Sequence, residues 1–171
     1  RSEYLEAWGL EKDDVLHEAL LNSYRILPPR IYDFKKMMYT PGYAGEDFLN
    51  MDPYFISDKK KKEGICLSVK GLSNGAVAVL YPGVIKKLVE FMDGGFYVVF
   101  SSVHEALIYS SKLCSLEELE NLLRTSNARM TFQKEFLTDK VYYYCKEEDK
   151  FIMLRGSMKM LVTTIRMDEE N

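Results

Sequence analysis

From Gly64 onward the chain consists of short, β-rich apolar runs separated by turn-forming residues, and this spacing constrains the fold more than any other feature. Ile65–Val69, Ala76–Tyr81, Phe96–Phe100, Glu105–Ser110, Val141–Cys145 and Phe151–Leu154 each read as a strand. The breaks between them carry turn chemistry: Gly71 to Gly75, Ser101 to His104, and the KEEDK tract at 146–150. None of these runs approaches the ~18 apolar residues that a membrane span requires, and the opening residues show no basic-then-apolar leader. Strands this short bury their apolar faces only by pairing, so the pattern implies a sheet built from hairpins.

Helical periodicity punctuates the strands. Val84, Ile85, Leu88, Val89 and Met92 form one apolar stripe, with Pro82 expected at the first helical position and Gly94-Gly95 supplying the stop. Ser115-Leu116-Glu117-Glu118 reads as a capping box that opens a helix running to about Asn127. Upstream, Glu11 to Ile26 carries the stripe Val15, Leu16, Ala19 and Leu20, places His17 on the outer side, and ends at Pro28-Pro29. Residues 30–63 read as a long irregular connection. Within it, Asp33 caps a short helix through Met38, and another short element lies near Asp47 to Met51.

The resulting expectation is an α+β fold: an antiparallel or mixed sheet of about six strands, with two or three main helices packed on it. A parallel crossover is conceivable only between Ala76–Tyr81 and Phe96–Phe100. At 171 residues the length suits one core. Residues 1–156 are read as a single domain and 157–171 as a C-terminal extension, either an extra strand in KMLVTTIR or a tail.

Three blocks, WGLEKDDVLHEALLNSYRILPP, LSNGAVAVLYPGVIKKLVEFMDGGFYVVFSSVHEALI and LTDKVYYYCKEEDKFIML, resemble the signature segments of an uncharacterised domain-of-unknown-function family of gut-dwelling Gram-positive bacteria. The Tyr-Pro-Gly turn, the Ser-Ser-x-His-Glu turn and the Tyr-Tyr-Tyr hairpin are its most specific parts. The resemblance implies a compact α+β domain and a chain that is the C-terminal part of such a protein. It brings no assigned reaction, cofactor or catalytic residue. Glu11 stands where a Ser or Thr cap is expected.

Five constellations bear on chemistry. Ser101, Ser102, His104 and Glu105 put hydroxyl, imidazole and carboxylate within five residues. Triads, however, converge from distant segments, and neighbours in a tight turn diverge. A hairpin whose serines satisfy turn amides is the simpler reading. His17 and His104 are the only imidazoles, and no H-E-x-x-H or paired-histidine spacing occurs, so neither a metal nor another cofactor is expected. Lys59, Lys60, Lys61 and Lys62 form a run that suits a solvated loop flanked by acids, with anion or partner contact as the rival. Tyr142 and Tyr144 share one strand face and are candidates for either core or interface. Tyr81-Pro82-Gly83 holds neither the glycines of a phosphate cradle nor a nucleophile.

Charge and cysteines narrow the partners. The chain carries 23 Lys+Arg against 26 Asp+Glu, a net charge of −3, which argues against nucleic acid as the main partner. Three widely spaced cysteines without a C-x-x-C pair point to free thiols in a cytoplasm. The leading expectation is a non-catalytic cytoplasmic binding or regulatory module that contacts another protein or itself, away from membranes. The alternatives are a small hydrolase or transferase with a pocket near Ser101–Glu105, and nucleic-acid contact through Lys59–Lys62.

Overall fold

A computed structural model describes residues 5, 7–129, 134–155 and 158–161. In chain order the elements are α1 (Lys12–Ile26), β1 (Pro29–Tyr32), α2 (Phe34–Tyr39), β2 (Glu46–Asp47), a 3-10 turn (Pro53–Phe55), α3 (Asp58–Glu63), β3 (Ile65–Val69), a 3-10 helix (Gly75–Leu80), α4 (Val84–Met92), β4 (Phe96–Val99), β5 (Ala106–Ser110), α5 (Leu116–Arg129), β6 (Val141–Cys145), β7 (Lys150–Arg155) and β8 (Met158–Leu161). The strands form one eight-stranded sheet in the order β2-β1-β3-β5-β4-β6-β7-β8. Every described pairing is antiparallel, which settles the antiparallel-or-mixed alternative. Eight strands rather than about six arise because β1, β2 and β8 join five of the expected strands, while Ala76–Tyr81 forms none. β2 adds a two-residue edge, and β8 pairs Met160 with Met153.

Alternation along the strands gives the sheet two faces. One face carries Ile31, Leu67, Val69, Phe96, Val98, Ile108 and Tyr144, and it meets Leu20 of α1, the 3-10 helix at Gly75–Leu80, and Leu88, Phe91 and Met92 of α4. The other carries Val99, Tyr109 and Val141 against Leu119 and Leu123 of α5. In α5 the capping box is present: the Glu118 N–H donates to Ser115 Oγ (3.3 Å), and the Ser115 N–H donates back to Glu118 Oε2 (3.0 Å). Glu11 is the N-cap of α1 and its side chain makes no capping bond. The inner stripe of α1 is Leu16, Leu20 and Tyr24, whose ring meets Tyr81 edge-on at 6.0 Å. Ala19 is exposed and His17 half-buried.

Three expectations are corrected. Ala76–Tyr81 is not a strand; Gly75–Leu80 is a 3-10 helix lying across the sheet, and the place beside β3 belongs to β5. Its burial repeats every three residues, with Gly75, Ala76, Ala78 and Val79 buried and Val77 and Leu80 half-buried. That is the period of a 3-10 helix, in which i and i+3 eclipse. A short apolar run does not distinguish a buried strand from a buried helical turn. With this strand gone, no parallel crossover exists among the described residues. Secondly, residues 30–63 hold β1, α2, β2, a 3-10 turn and α3 rather than an irregular connection. Pro29 is tolerated because it opens its strand. Thirdly, Pro82 precedes the helix. Gly83, at φ 74, is the N-cap, and the Val84 N–H donates to the Tyr81 C=O (3.1 Å), closing a turn with proline then glycine at its centre.

Candidate functional site

The Ser101–Glu105 turn joins β4 to β5, and other segments converge on it. Ser101 Oγ donates to Glu105 Oε1 (2.6 Å), and the His104 N–H donates to Ser102 Oγ (3.0 Å). Ser68, buried on β3, donates through Oγ to the His104 C=O (2.6 Å). The Asn74 N–H donates to His104 Nδ1 (3.1 Å), which makes Nδ1 the accepting nitrogen of the ring and leaves the ring proton on Nε2. Nε2 faces Glu135 Oε1 at 3.7 Å, and the Val103 N–H donates to the Glu135 C=O (2.9 Å). Ser68, Asn74 and Glu135 come from segments that sequence spacing does not connect to the turn.

Chemically the cluster is a brace. The hydroxyls of Ser68, Ser101 and Ser102 engage backbone and carboxylate groups of the turn, and the imidazole nitrogen best placed to receive a proton already accepts an amide. Cys66, two residues before Ser68, is no better a nucleophile. Burial pushes its thiol up to about 12, and the neighbouring Glu105 charge adds to the shift. Burial likewise raises the Cys114 thiol. Among the described residues, no group of three or more His, Cys, Asp or Glu is placed to hold a metal ion.

The lysine run is helical, not looped, which corrects the expectation. Ser57 Oγ accepts the Lys60 N–H (3.4 Å), and Gly64, at φ 99, stops α3 while its N–H donates to the Lys60 C=O (2.9 Å). Three of the four lysines sit near carboxylates: Lys59 with Glu63 (3.7 Å), Lys60 with Asp33 (2.7 Å) and Lys61 with Asp58 (3.3 Å). A phosphate backbone would have to compete for them.

Asp33 is the junction of this region. Its Oδ1 accepts the Lys35 and Lys36 N–H groups at the start of α2, and its Oδ2 takes Lys60 Nζ from α3. The Lys60 ammonium, with the α2 amides behind it, holds the carboxyl down to about 2. Because the folded-state value lies below the unfolded value of about 3.9, ionisation favours folding. This contribution is complete above the unfolded value and lost as pH falls through about 2. Asp33→Asn is therefore expected to lower the urea midpoint at pH 6 and to converge on the parent near pH 2. A constant difference across that range would contradict the assignment.

The tyrosine row divides by face. Tyr144 is buried, with its ring stacked on Phe96 (5.1 Å) and edge-on to Phe151 (5.2 Å), and its hydroxyl donates to Asp149. Burial, reinforced by that carboxylate, raises its pKa. Tyr142 is half-buried against Phe100 at 5.6 Å. Tyr143 lies on the other face, tilted against Tyr97 at 5.4 Å.

A further feature has no counterpart among the sequence candidates. α2 buries none of its side chains, and Phe34 (53%), Met38 (68%) and Tyr39 (80%) are open to solvent. Tyr54 and Phe55 are exposed as well. The signal was the i, i+3, i+4 spacing of Phe34, Met37 and Met38.

A sequence profile described as a family of unknown function (DUF5688) matches residues 1–146. The chain belongs to this family. No curated protein and no solved structure matches it. The DUF5688 match spans α1 to β6, including residues 30–63, and ends in the turn before β7. All the residues of the 101–105 brace, the Asp33 junction and α2 lie inside it. Among the described residues, no helix is long and apolar enough to cross a membrane.

Proposed function

We propose that this chain is a non-catalytic binding module that contacts another protein through the exposed apolar side chains of α2. The observation that carries the reading is a helix of six residues with Phe34, Met37, Met38 and Tyr39 and no buried side chain. Exposed methionine and aromatic side chains at one place are what protein contacts use, and a scattered single apolar residue would need no explanation. The inward commitments of the 101–105 brace weigh against the hydrolase or transferase reading. The paired state of the lysine run weighs against nucleic acid. All three cysteines are free thiols, which suits a reducing compartment such as the cytoplasm.

A photo-crosslinking residue placed at Met38, with a control at exposed Lys146, tests this. The Met38 probe is expected to capture one protein that the control does not. The purified pair is then expected to lose at least about tenfold in affinity with Phe34→Ser/Met38→Ser, with the melting temperature little changed because both residues are exposed. Equal capture at both positions, or affinity unmoved by the double variant, would remove the idea.

A further inference from the structure

We propose that His104 is a proton-sensitive latch: protonation of its ring releases the Gly71–Gly75 loop from the Ser101–Glu105 turn. The latch is independent of the α2 surface. Two observations meet at this ring, and the first is the direction of its hydrogen bond. Nδ1 accepts the Asn74 N–H at 3.1 Å, so it must carry no proton for the loop to rest where it does. A ring protonated on both nitrogens only donates, and it would set two N–H groups against each other across that gap. The second observation is the loop backbone. Leu72 (φ 59) and Asn74 (φ 54) both lie in the left-handed region, after Gly71 at φ 90. Asparagine tolerates that region, whereas a bulky leucine is an outlier there. Such a residue persists only where its surroundings over-determine it. Here Tyr32 Oη accepts the Gly71 N–H (3.3 Å), the Val69 C=O accepts the Leu72 N–H (3.0 Å), and His104 accepts the Asn74 N–H. Of these three acceptors, only the imidazole changes its hydrogen-bonding role near neutral pH. Burial raises the Tyr32 hydroxyl above its ordinary value, and the Val69 acceptor is a peptide carbonyl.

The ring is open to protons, with 34% of its side chain exposed, and its Nε2 faces Glu135 Oε1 at 3.7 Å. That distance is beyond a hydrogen bond, so a charge on the ring would draw it toward the carboxylate and away from Asn74. The other titratable or charged groups on the surrounding elements are already placed. Glu105 takes the Ser101 hydroxyl (2.6 Å), Cys66 is buried on β3, and Arg30 lies opposite Ser68 on β1. Lys70 and Lys134 are exposed. Residues 71–75 and the 3-10 helix carry no titratable side chain. The turn itself does not depend on the latch, since Ser68 Oγ holds the His104 C=O and the Val103 C=O holds the Ala76 N–H. The loop is therefore the part that moves. Opening it frees Nδ1, so the open state takes up the proton more readily, and falling pH shifts the population toward it.

NMR relaxation of the backbone amides of the whole chain, followed between about pH 8 and pH 5, covers the window in which imidazoles titrate. Order parameters of the Leu72, Ser73 and Asn74 amides are expected to fall from about 0.85 to below about 0.6. The midpoint is expected to coincide with that of the His104 ring carbons. His104→Asn keeps an acceptor near the Nδ1 position and takes up no proton, so its loop is expected to stay ordered throughout. Glu135→Gln is expected to move the midpoint to lower pH, because the charge that draws the protonated ring is gone. A loop that stays rigid while the ring titrates would overturn the proposal, since the ring would then turn away alone. The same loosening in His104→Asn, or a ring that does not titrate in this window, would overturn it as well. An unmoved midpoint in Glu135→Gln would overturn the part given to Glu135.

Discussion

Replacing Tyr144 by alanine is expected to cost about 3–5 kcal/mol of folding stability, the range for truncating a large aromatic in a close-packed core. The ring stacks on Phe96 and meets Phe151 edge-on, joining β4, β6 and β7 on one face of the sheet. Truncation leaves Phe96, itself fully buried, facing a void. Such a loss is a large part of the ~5–15 kcal/mol that holds a domain of this size together. Tyr144→Phe keeps the ring and removes only the hydroxyl that donates to Asp149, for about 1 kcal/mol. Tyr142→Ala, at a half-buried position against Phe100, is expected to cost much less than Tyr144→Ala. Urea unfolding of the three variants separates these cases. A Tyr144→Ala midpoint near the parent's would mean that the ring is not part of the core. The ordering also bears on function. Weakened association in a Tyr144→Ala protein would report unfolding, so of the two interface candidates, Tyr142 and Tyr144, only Tyr142 is suitable for a test of contact.

The ladder of strands from Ile65 to Leu154 was legible because each strand alternates or stays apolar between recognisable turns, and the capping signals at Asp33 and Ser115 were legible because a cap is a local event. What sequence could not supply were contacts made at a distance. β1 is four residues long and begins with proline, so its identity depends on pairing with β3, as Arg30 opposite Ser68 and Ile31 opposite Leu67. Nothing local specifies that. The lysine run reads as solvated, and its charges are indeed at the surface. Its helical state comes from Ser57 at one end and Gly64 at the other, and its role comes from Asp33, 27 residues away from Lys60. The Ser101–Glu105 cluster was legible as a composition and illegible as a brace, because Ser68, Asn74 and Glu135 reach it from elsewhere in the chain. The α2 surface was illegible for the opposite reason. Its apolar spacing looks like that of any short packed helix, and exposure is decided by what the rest of the fold leaves uncovered.

Gly75→Ala is expected to be as damaging as any core truncation, about 3 kcal/mol or more, although it adds a single methyl group. Gly75 opens the 3-10 helix where that helix presses against β3 and the 101–105 turn. A Cβ there would overlap Ser68 Oγ and lie 2.7 Å from both the His104 C=O oxygen and the Val69 amide nitrogen. Two of these three atoms are backbone, so no rotamer change relieves the overlap. The hydroxyl is not free to leave either, since it donates to that same His104 carbonyl at 2.6 Å. Relief requires the 3-10 helix to lift, which would strain the bond from the Ala76 N–H to the Val103 C=O (3.1 Å) and the one from the Asn74 N–H to His104 Nδ1. Gly71→Ala is the control. Gly71 has φ 90 with nothing within 4 Å of an added Cβ, so it incurs only the left-handed backbone cost of about 1–2 kcal/mol. Adding Ser68→Ala to Gly75→Ala removes one of the three overlaps and is expected to recover part of the loss, giving a favourable coupling energy between the two sites. Parent-like stability of Gly75→Ala in urea, or strict additivity of the pair, would show that the close approach of the 3-10 helix to β3 does not hold this end of the sheet in place.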